Sequence, residues 1–541
     1  ITGTEMFYER NRLNGMIGRF ISSMVMGLMT INAVAHTDAS RPRLVVSIVI
    51  DQLRTDYLEY LREYFGDTGF NRMVREGLYL RDVDFKALIG DAPTGTAVIY
   101  TGANPALNGI AGAEVYDHQS GRLAPALNDA STIGNFTNAT LSPAQLRLST
   151  ISDEIAIDGI GLGLVYAVSA DPQQAIIMAG HAGNAALWLD QNTGNWCSTT
   201  YYRDFPQHIS PRNHRTPLSK RLDSMSWKPV MSLDKYPAIP AQKRDYPFTY
   251  TYPTSDRNVY TRFAVSPPGN DEVTDVAISC IDALQLGNRS EAIDMLNVAY
   301  SLAPYTEVTD GDYRLELQDA YIRLDQQISR LLEAIDRKTG LRNTLVLLTS
   351  TGYYHEPTVD DPKYRIPTGE ISLKRIESLL NSFLSAKYGN ADYVGGIYFN
   401  QIFLNNDLID KRNIDRQAVT QDAREFVIRM SGVASARTVQ EILSDTSPQA
   451  ESLRLTIDPK TSGDILLTFT PGWKVVDDRT YPQTVTPVRA AAVLTPAVIL
   501  SPSVTPQTVS EEVDATTIAP TVTSILRIRS PNGAQEKPLK Y

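Results

Sequence analysis

The run Leu44-Val-Val-Ser-Ile-Val-Ile50 constrains this chain more than any other feature. It is rich in β-branched residues and lacks polar alternation, so it predicts a strand covered on both faces, the central strand of a parallel sheet. Asp51 follows it directly. A carboxylate just past such a strand lies at the carboxyl edge of the sheet, where ligand sites of α/β proteins form. Leu345–Leu348 predicts a second buried strand. Before it, Leu317–Lys338 sets Leu324, Ile328, Leu331, Leu332 and Ile335 at helical spacing, and Gly340 closes that helix. A further helix is predicted from about Thr55 to Gly77. This alternation points to an α/β fold.

Composition narrows the function. Hydrophobic residues make up 42% and charged residues 21%, enough to bury a large core. The excess of 61 acidic over 51 basic residues, a net of −10, excludes nucleic acid as the main partner. Two cysteines, Cys197 and Cys280, exclude a disulfide framework or a cysteine-rich zinc site. Six histidines leave few imidazoles for any metal site.

Residues 1–35 are read as an upstream segment plus an export signal. Arg19 precedes the apolar run Phe20–Ile31, and Ala33-Val-Ala35 offers a cleavage site. The uncharged run Phe20–Ala35 falls short of the roughly 20 residues of a spanning helix. The expectation is an exported protein of the periplasm or cell exterior, without a transmembrane domain after cleavage.

Residues 36–364 form the first part of the core, with a loop-rich insert at 195–270. Residues 365–460 form an inserted α+β module with helices at Ser372–Tyr388, Asp415–Met430 and Val439–Leu443 and a strand at Gly396–Phe403. Residues 461–541 return to the core with strands at Asp464–Phe469 and Ala497–Leu500. The aromatic residues between Trp196 and Tyr252 have two readings, loop packing or a partner-binding surface.

Several segments together resemble the alkaline phosphatase superfamily, in the branch of type I phosphodiesterases/nucleotide pyrophosphatases and alkaline phosphatases with a Thr nucleophile. They are Val49–Tyr57, Gly69–Gly77, Ile99–Ile110, Ala179–Trp188, Gln318–Asp325, Gly463–Leu466 with Pro471-Gly-Trp473, and Ile518–Thr521, in the family's order. The resemblance implies a three-layer core with a mostly parallel sheet. It also implies phosphoryl transfer to a Thr or Ser flanked by two metal ions about 4 Å apart, usually zinc.

Carried over residue by residue, the resemblance finds most of the machinery replaced. Asp51 is the retained metal-ligand position. Ala92 stands at the nucleophile, with Thr94 nearby as a weak substitute. Pro304 and Val308 stand at the Asp–x3–His pair, Thr351 and Gly352 at the Asp-His pair, and Leu494 at the last His. The phosphate-binding Asn, Lys and Arg read Ala113, Asp171 and Gln173. Asp171 reverses the charge of a group meant to meet phosphate.

The expected function is therefore an alkaline-phosphatase-like pseudoenzyme with a binding or structural role in the cell envelope. No catalytic side chain and no cofactor are expected, and its partner would be a protein or glycan. The alternative is a metal-dependent phosphoric monoester or diester hydrolase with a rearranged zinc site. His181, in Gly180-His-Ala182, is expected to make structural hydrogen bonds, and Asp51 to cap a turn or helix.

Overall fold

The computed structural model describes residues 41–302, 305, 312–354, 369–479, 484–488 and 494–541. The leader segment, Pro304, Val308 and His355 lie outside the described residues. Strand β1 (Leu44–Asp51) sits inside a ten-stranded sheet. Strand β2 (Val165–Ser169) pairs in parallel with β3 (Asp294–Ser301), β3 with β1, and β1 with β4 (Thr344–Ser350). Ala185–Leu189 extends the parallel run, while Trp196–Thr199 and Ala497–Leu500 flank it antiparallel. This is the mixed, mostly parallel sheet expected from the β-branched runs.

The pleat of β1 sorts its side chains into two cores. Leu44, Val46, Ile48 and Ile50 face helices α3 (Pro267–Leu284) and α4 (Arg314–Lys338). Val45 and Val49 face α1 (Ala92–Thr101) and α2 (Pro172–Ala179). Every residue from Leu44 to Ile50 is fully buried, as a strand between two helix layers must be.

Three local expectations change in the fold. The helix expected over Thr55–Gly77 is split into Thr55–Tyr60, a short turn of 3₁₀ helix at Arg62–Tyr64, and Phe70–Glu76. The break is imposed by Asp325 on α4, whose carboxylate accepts the backbone N–H of Gly66 at 2.8 Å and of Phe70 at 2.7 Å. A Cβ on Gly69 would lie 2.2 Å from that carboxylate, so only glycine fits the approach.

The single strand expected at Gly396–Phe403 is a hairpin, Val394–Tyr398 against Gln401–Leu404. Phe399 turns the chain at φ 52° with Asn400 beside it. Phe399 holds this left-handed backbone because its ring packs on Gly90, where a Cβ would come within 2.5 Å of it.

Ile465–Phe469, expected in the returning core, belongs instead to the smaller four-stranded sheet. It pairs antiparallel with Val433–Thr438 and Gln401–Leu404, and Ile465, Leu467 and Phe469 pack into that module's own core. Of the segment 195–270, Trp196, Trp227, Tyr236, Phe248 and Tyr252 are buried against α3 and α4. The loop-packing reading holds for these, while Tyr246 is 83% exposed. No described helix is long and apolar enough to cross a membrane.

Candidate functional site

The carboxyl edge of the sheet gathers residues far apart in sequence. Asp51 ends β1, and Thr351, just past β4, donates its hydroxyl to Asp51 Oδ1 at 2.8 Å. Helix α1 begins at Ala92 with Asp91 as its N-cap, as the Asp-Ala-Pro start favours. Its first turn is pressed onto β4: a Cβ on Gly95 would lie 1.7 Å from the Thr351 carbonyl oxygen. Helix α2 begins after Asp171, whose carboxylate accepts the Gln174 N–H at 2.7 Å.

Asp51, Asp91, Ala92, Ala113 and Asp171 line one cavity of about 350 Å³, together with Tyr353 and Tyr398. Gln173 lies beside Ala113: its side-chain amide donates to the Ala113 carbonyl at 2.9 Å, and its oxygen accepts the Leu127 N–H at 3.1 Å. The fold thus brings together Asp51, Ala92, Thr351, Ala113, Asp171 and Gln173, as the resemblance implies. It does not bring in Thr94 or Leu494. Thr94 is buried off the cavity wall, and its hydroxyl has no hydrogen-bond partner among the described residues. Leu494 is 40% exposed and contributes its carbonyl to the Thr55 N–H.

Electrostatics at this edge disfavour more negative charge. Burial, reinforced by Asp171 and Asp91, pushes the Asp51 carboxyl up to about 7, although hydrogen bonds from Thr351 and Gln52 pull the other way. Burial pushes Asp171 up to about 6 against the hydrogen bond from the Gln174 backbone, with Asp91 adding to the rise. Asp91 accepts three hydrogen bonds, from the Thr94 N–H at 2.8 Å, the Ala113 N–H at 2.9 Å and the Tyr398 hydroxyl at 3.0 Å. Burial, with Asp91 second, raises the Tyr398 phenol well above its ordinary value.

The cavity wall has members the sequence did not announce. Tyr398 arrives on the module's hairpin, 307 positions from Asp91, and no spacing links them. Asp91 had a local signal, the N-cap pattern before Pro93, but that pattern says nothing of a cavity.

The residues present do not fit the two metal ions that the resemblance implies. Among the described residues no group of three or more His, Cys, Asp or Glu is placed to hold one. Packing deepens the misfit at Gly352. Its φ is 74°, and a Cβ there would lie 2.3 Å from the Phe85 ring, so Phe85 fills the space an imidazole would need.

The family model of the type I phosphodiesterase / nucleotide pyrophosphatase matches residues 45–492. The chain belongs to that family. Alkaline phosphatase PhoV of Synechococcus elongatus is 29% identical over 92% of both chains. Alkaline phosphatase PafA of Elizabethkingia meningoseptica is 26% identical over 97% of this chain and 98% of its own. A Myroides odoratus protein described as a calcium-transporting ATPase is 30% identical over 94% and 96%. The crystal structure of PafA superposes with a TM-score of 0.80 at 24% identity, covering 92% of this chain and 98% of PafA. The fold is therefore the alkaline-phosphatase-like α/β fold expected from the sequence.

Proposed function

We propose that this family member is catalytically inactive and keeps the phosphatase scaffold for binding in the cell envelope. The carrying observation is the identity of the groups at the carboxyl edge. A methyl group, Ala92, starts the helix beside Asp51, and Asp171 stands where phosphate would need a cation. An unactivated hydroxyl is a poor nucleophile, and here even the hydroxyl is missing. A phosphate dianion entering the cavity would meet Asp51, Asp91 and Asp171 and no Lys or Arg among its described lining residues. Export follows from the Arg19–Ala35 leader pattern, and the envelope partner in this reading is a protein or glycan.

The second reading, a hydrolase with a rearranged zinc site, draws on the family itself and on relatives named as alkaline phosphatases. One experiment separates the two. The purified full chain is assayed on p-nitrophenyl phosphate and bis-p-nitrophenyl phosphate with and without added zinc, beside Ala92→Thr, and its zinc is measured by elemental analysis. The expected result is no turnover in either protein and less than one zinc per chain. Zinc-dependent turnover by wild type, or two tightly held zinc ions, would establish the second reading.

A further inference from the structure

At the amino edge of the sheet, opposite the cavity, one loop turns its apolar side chains outward. It joins the helix Ile151–Asp158 to β2 and reads Ile157-Asp-Gly-Ile-Gly-Leu162. Ile157 is 54% exposed, Ile160 88% and Leu162 57%. Single exposed aliphatics are ordinary, but three within one short loop form a patch.

The backbone gives this tip a cost that packing does not recover. The Ile160 N–H donates to the Ile157 carbonyl at 3.0 Å and the Gly161 N–H to the Ala156 carbonyl at 3.0 Å, the paired bonds of a helix that ends on a left-handed residue. That residue is Ile160, at φ 50°. Glycine is the usual choice there, and a β-branched side chain is strained. Here Gly159 and Gly161 stand on both sides, and isoleucine takes the strained position. The loop is also held firmly: a Cβ on Gly163 would lie 2.2 Å from the Ile293 carbonyl oxygen, just before β3. Strain kept at an exposed apolar tip, with no burial in return, points to a contact outside the chain.

What the tip meets follows from its neighbours. Asp294, at the start of β3, joins the loop to the place where the chain enters the fold. Its N–H donates to the Arg43 carbonyl at 3.0 Å, and its carboxylate accepts the Leu164 N–H at 2.8 Å. Nine residues separate Arg41 from the apolar run Phe20–Ile31. A link of that length reaches at most about 35 Å. Arg43 and Arg342 are exposed on the same edge, where the Arg43 N–H donates to the Asn343 carbonyl at 2.8 Å, and guanidinium groups so placed suit the headgroup level of a bilayer. Asp158 and Glu291 are exposed there too, so apolar insertion rather than charge carries the binding. We propose that this loop rests on the surface of a phospholipid bilayer, with Ile157, Ile160 and Leu162 inserted below the headgroups and the carboxyl-edge cavity turned away from the membrane. This rests on the exported reading of the leader and is independent of whether the cavity turns over a phosphoric ester.

The test places an environment-sensitive nitrobenzoxadiazole label on Ile160→Cys in the purified full chain and adds vesicles of phosphatidylethanolamine and phosphatidylglycerol. Cys197 and Cys280 are buried, so the label reports its own position. Its emission is expected to brighten and shift to the blue. The same label on Tyr246→Cys should stay unchanged, because Tyr246 follows Lys243, which binds Glu316 in the first turn of α4 at the opposite edge. Ile160→Asn is expected to melt no lower than wild type, because asparagine tolerates the left-handed backbone. With the label moved to Leu162→Cys, adding Ile160→Asn should raise the lipid needed for half the shift by roughly tenfold. No shift at position 160, an equal shift at both labels, or a clear fall in the melting temperature of Ile160→Asn overturns the proposal. So does a shift that appears on raising the protein concentration without lipid, which would make the tip a contact between two copies of the chain. Recovery of the chain from the cytoplasmic fraction of cells would overturn the exported reading instead, so the two failures are told apart.

Discussion

Two regions of this molecule hold carboxylates that are wholly or partly buried, and they treat them in opposite ways. Beneath the loop segment 195–270, Glu316 and Asp319 are fully buried and Glu272 nearly so. Each brings its own cation. Lys243 donates to Glu316 at 2.5 Å, Arg323 to Asp319 at 2.7 Å, and Arg212 and Arg221 to Glu272 at 2.8 and 2.9 Å. Neutral donors complete the shells: Tyr250 on Glu316, Trp227 and Tyr236 on Asp319, and Trp196 on Glu272. Burial works against ionisation of Glu272, but the hydrogen bond from Arg221 and the charges of Arg212 and Arg221 outweigh it and hold it below its ordinary value.

At the carboxyl edge of the sheet, Asp51 and Asp171 are pushed up because neutral donors alone oppose burial. Beneath the loop segment the fold supplies the counter-charge itself. Asp51 and Asp171 have neutral hydrogen-bond donors and no ion-pair partner among the described residues, so raised proton affinity is their response to burial.

The comparison is broken most forcefully at the paired region. Lys243→Met leaves the fully buried Glu316 without its cation. Removing one partner of a buried pair costs about 3–5 kcal/mol. Urea unfolding should show a loss of that size; a loss below about 1 kcal/mol would mean that the ion pair is not what holds the loop segment down.

At the cavity the sign reverses. A carboxyl whose value is raised on folding binds more protons in the native state, so stability falls as pH rises between its unfolded and folded values. For Asp171 that window runs from 3.8 to about 6. Asp171→Asn should therefore stabilise the protein by about 1 kcal/mol at pH 8. The gain should shrink as the pH falls through the window. A variant less stable than wild type at pH 8 would show that the Asp171 charge is already compensated.

The smallest effect is expected at His181, which stands between the two extremes. Its Nδ1 lies 3.0 Å from Asp153 and its Nε2 lies 2.8 Å from the Leu146 carbonyl. Both partners accept, so the doubly protonated ring fits best, and the hydrogen bond to Asp153 raises the His181 value above 6.5 despite burial. Its stabilising contribution should be full below pH 6.5 and fade as the pH rises through the raised value. An NMR titration of the ring placing its midpoint below 6.5 would contradict the pairing.

The sequence alone determined the frame and the identity of the side chains at the carboxyl edge. An apolar β-branched run with no alternation predicts a doubly covered strand, and Leu44–Ile50 is one. The leucine and isoleucine spacing before Gly340 marks α4 for the same local reason. The side chains at Ala92, Ala113, Asp171 and Gln173 are matters of identity, so their chemistry was legible before any coordinate.

Only the tertiary structure decided where the chain breaks and what the cavity is made of. The helix after Asp51 is interrupted because Asp325, more than 250 positions away, takes the N–H groups of Gly66 and Phe70. Phe85 closes the space beside Gly352, and a hairpin of the inserted module sets Tyr398 on Asp91. Local pattern records which face of an element is apolar. It does not record which distant side chain will occupy the space that face leaves open, and at the carboxyl edge that decided both the loss of room for a ligand imidazole and the cavity's unpaired acidic wall.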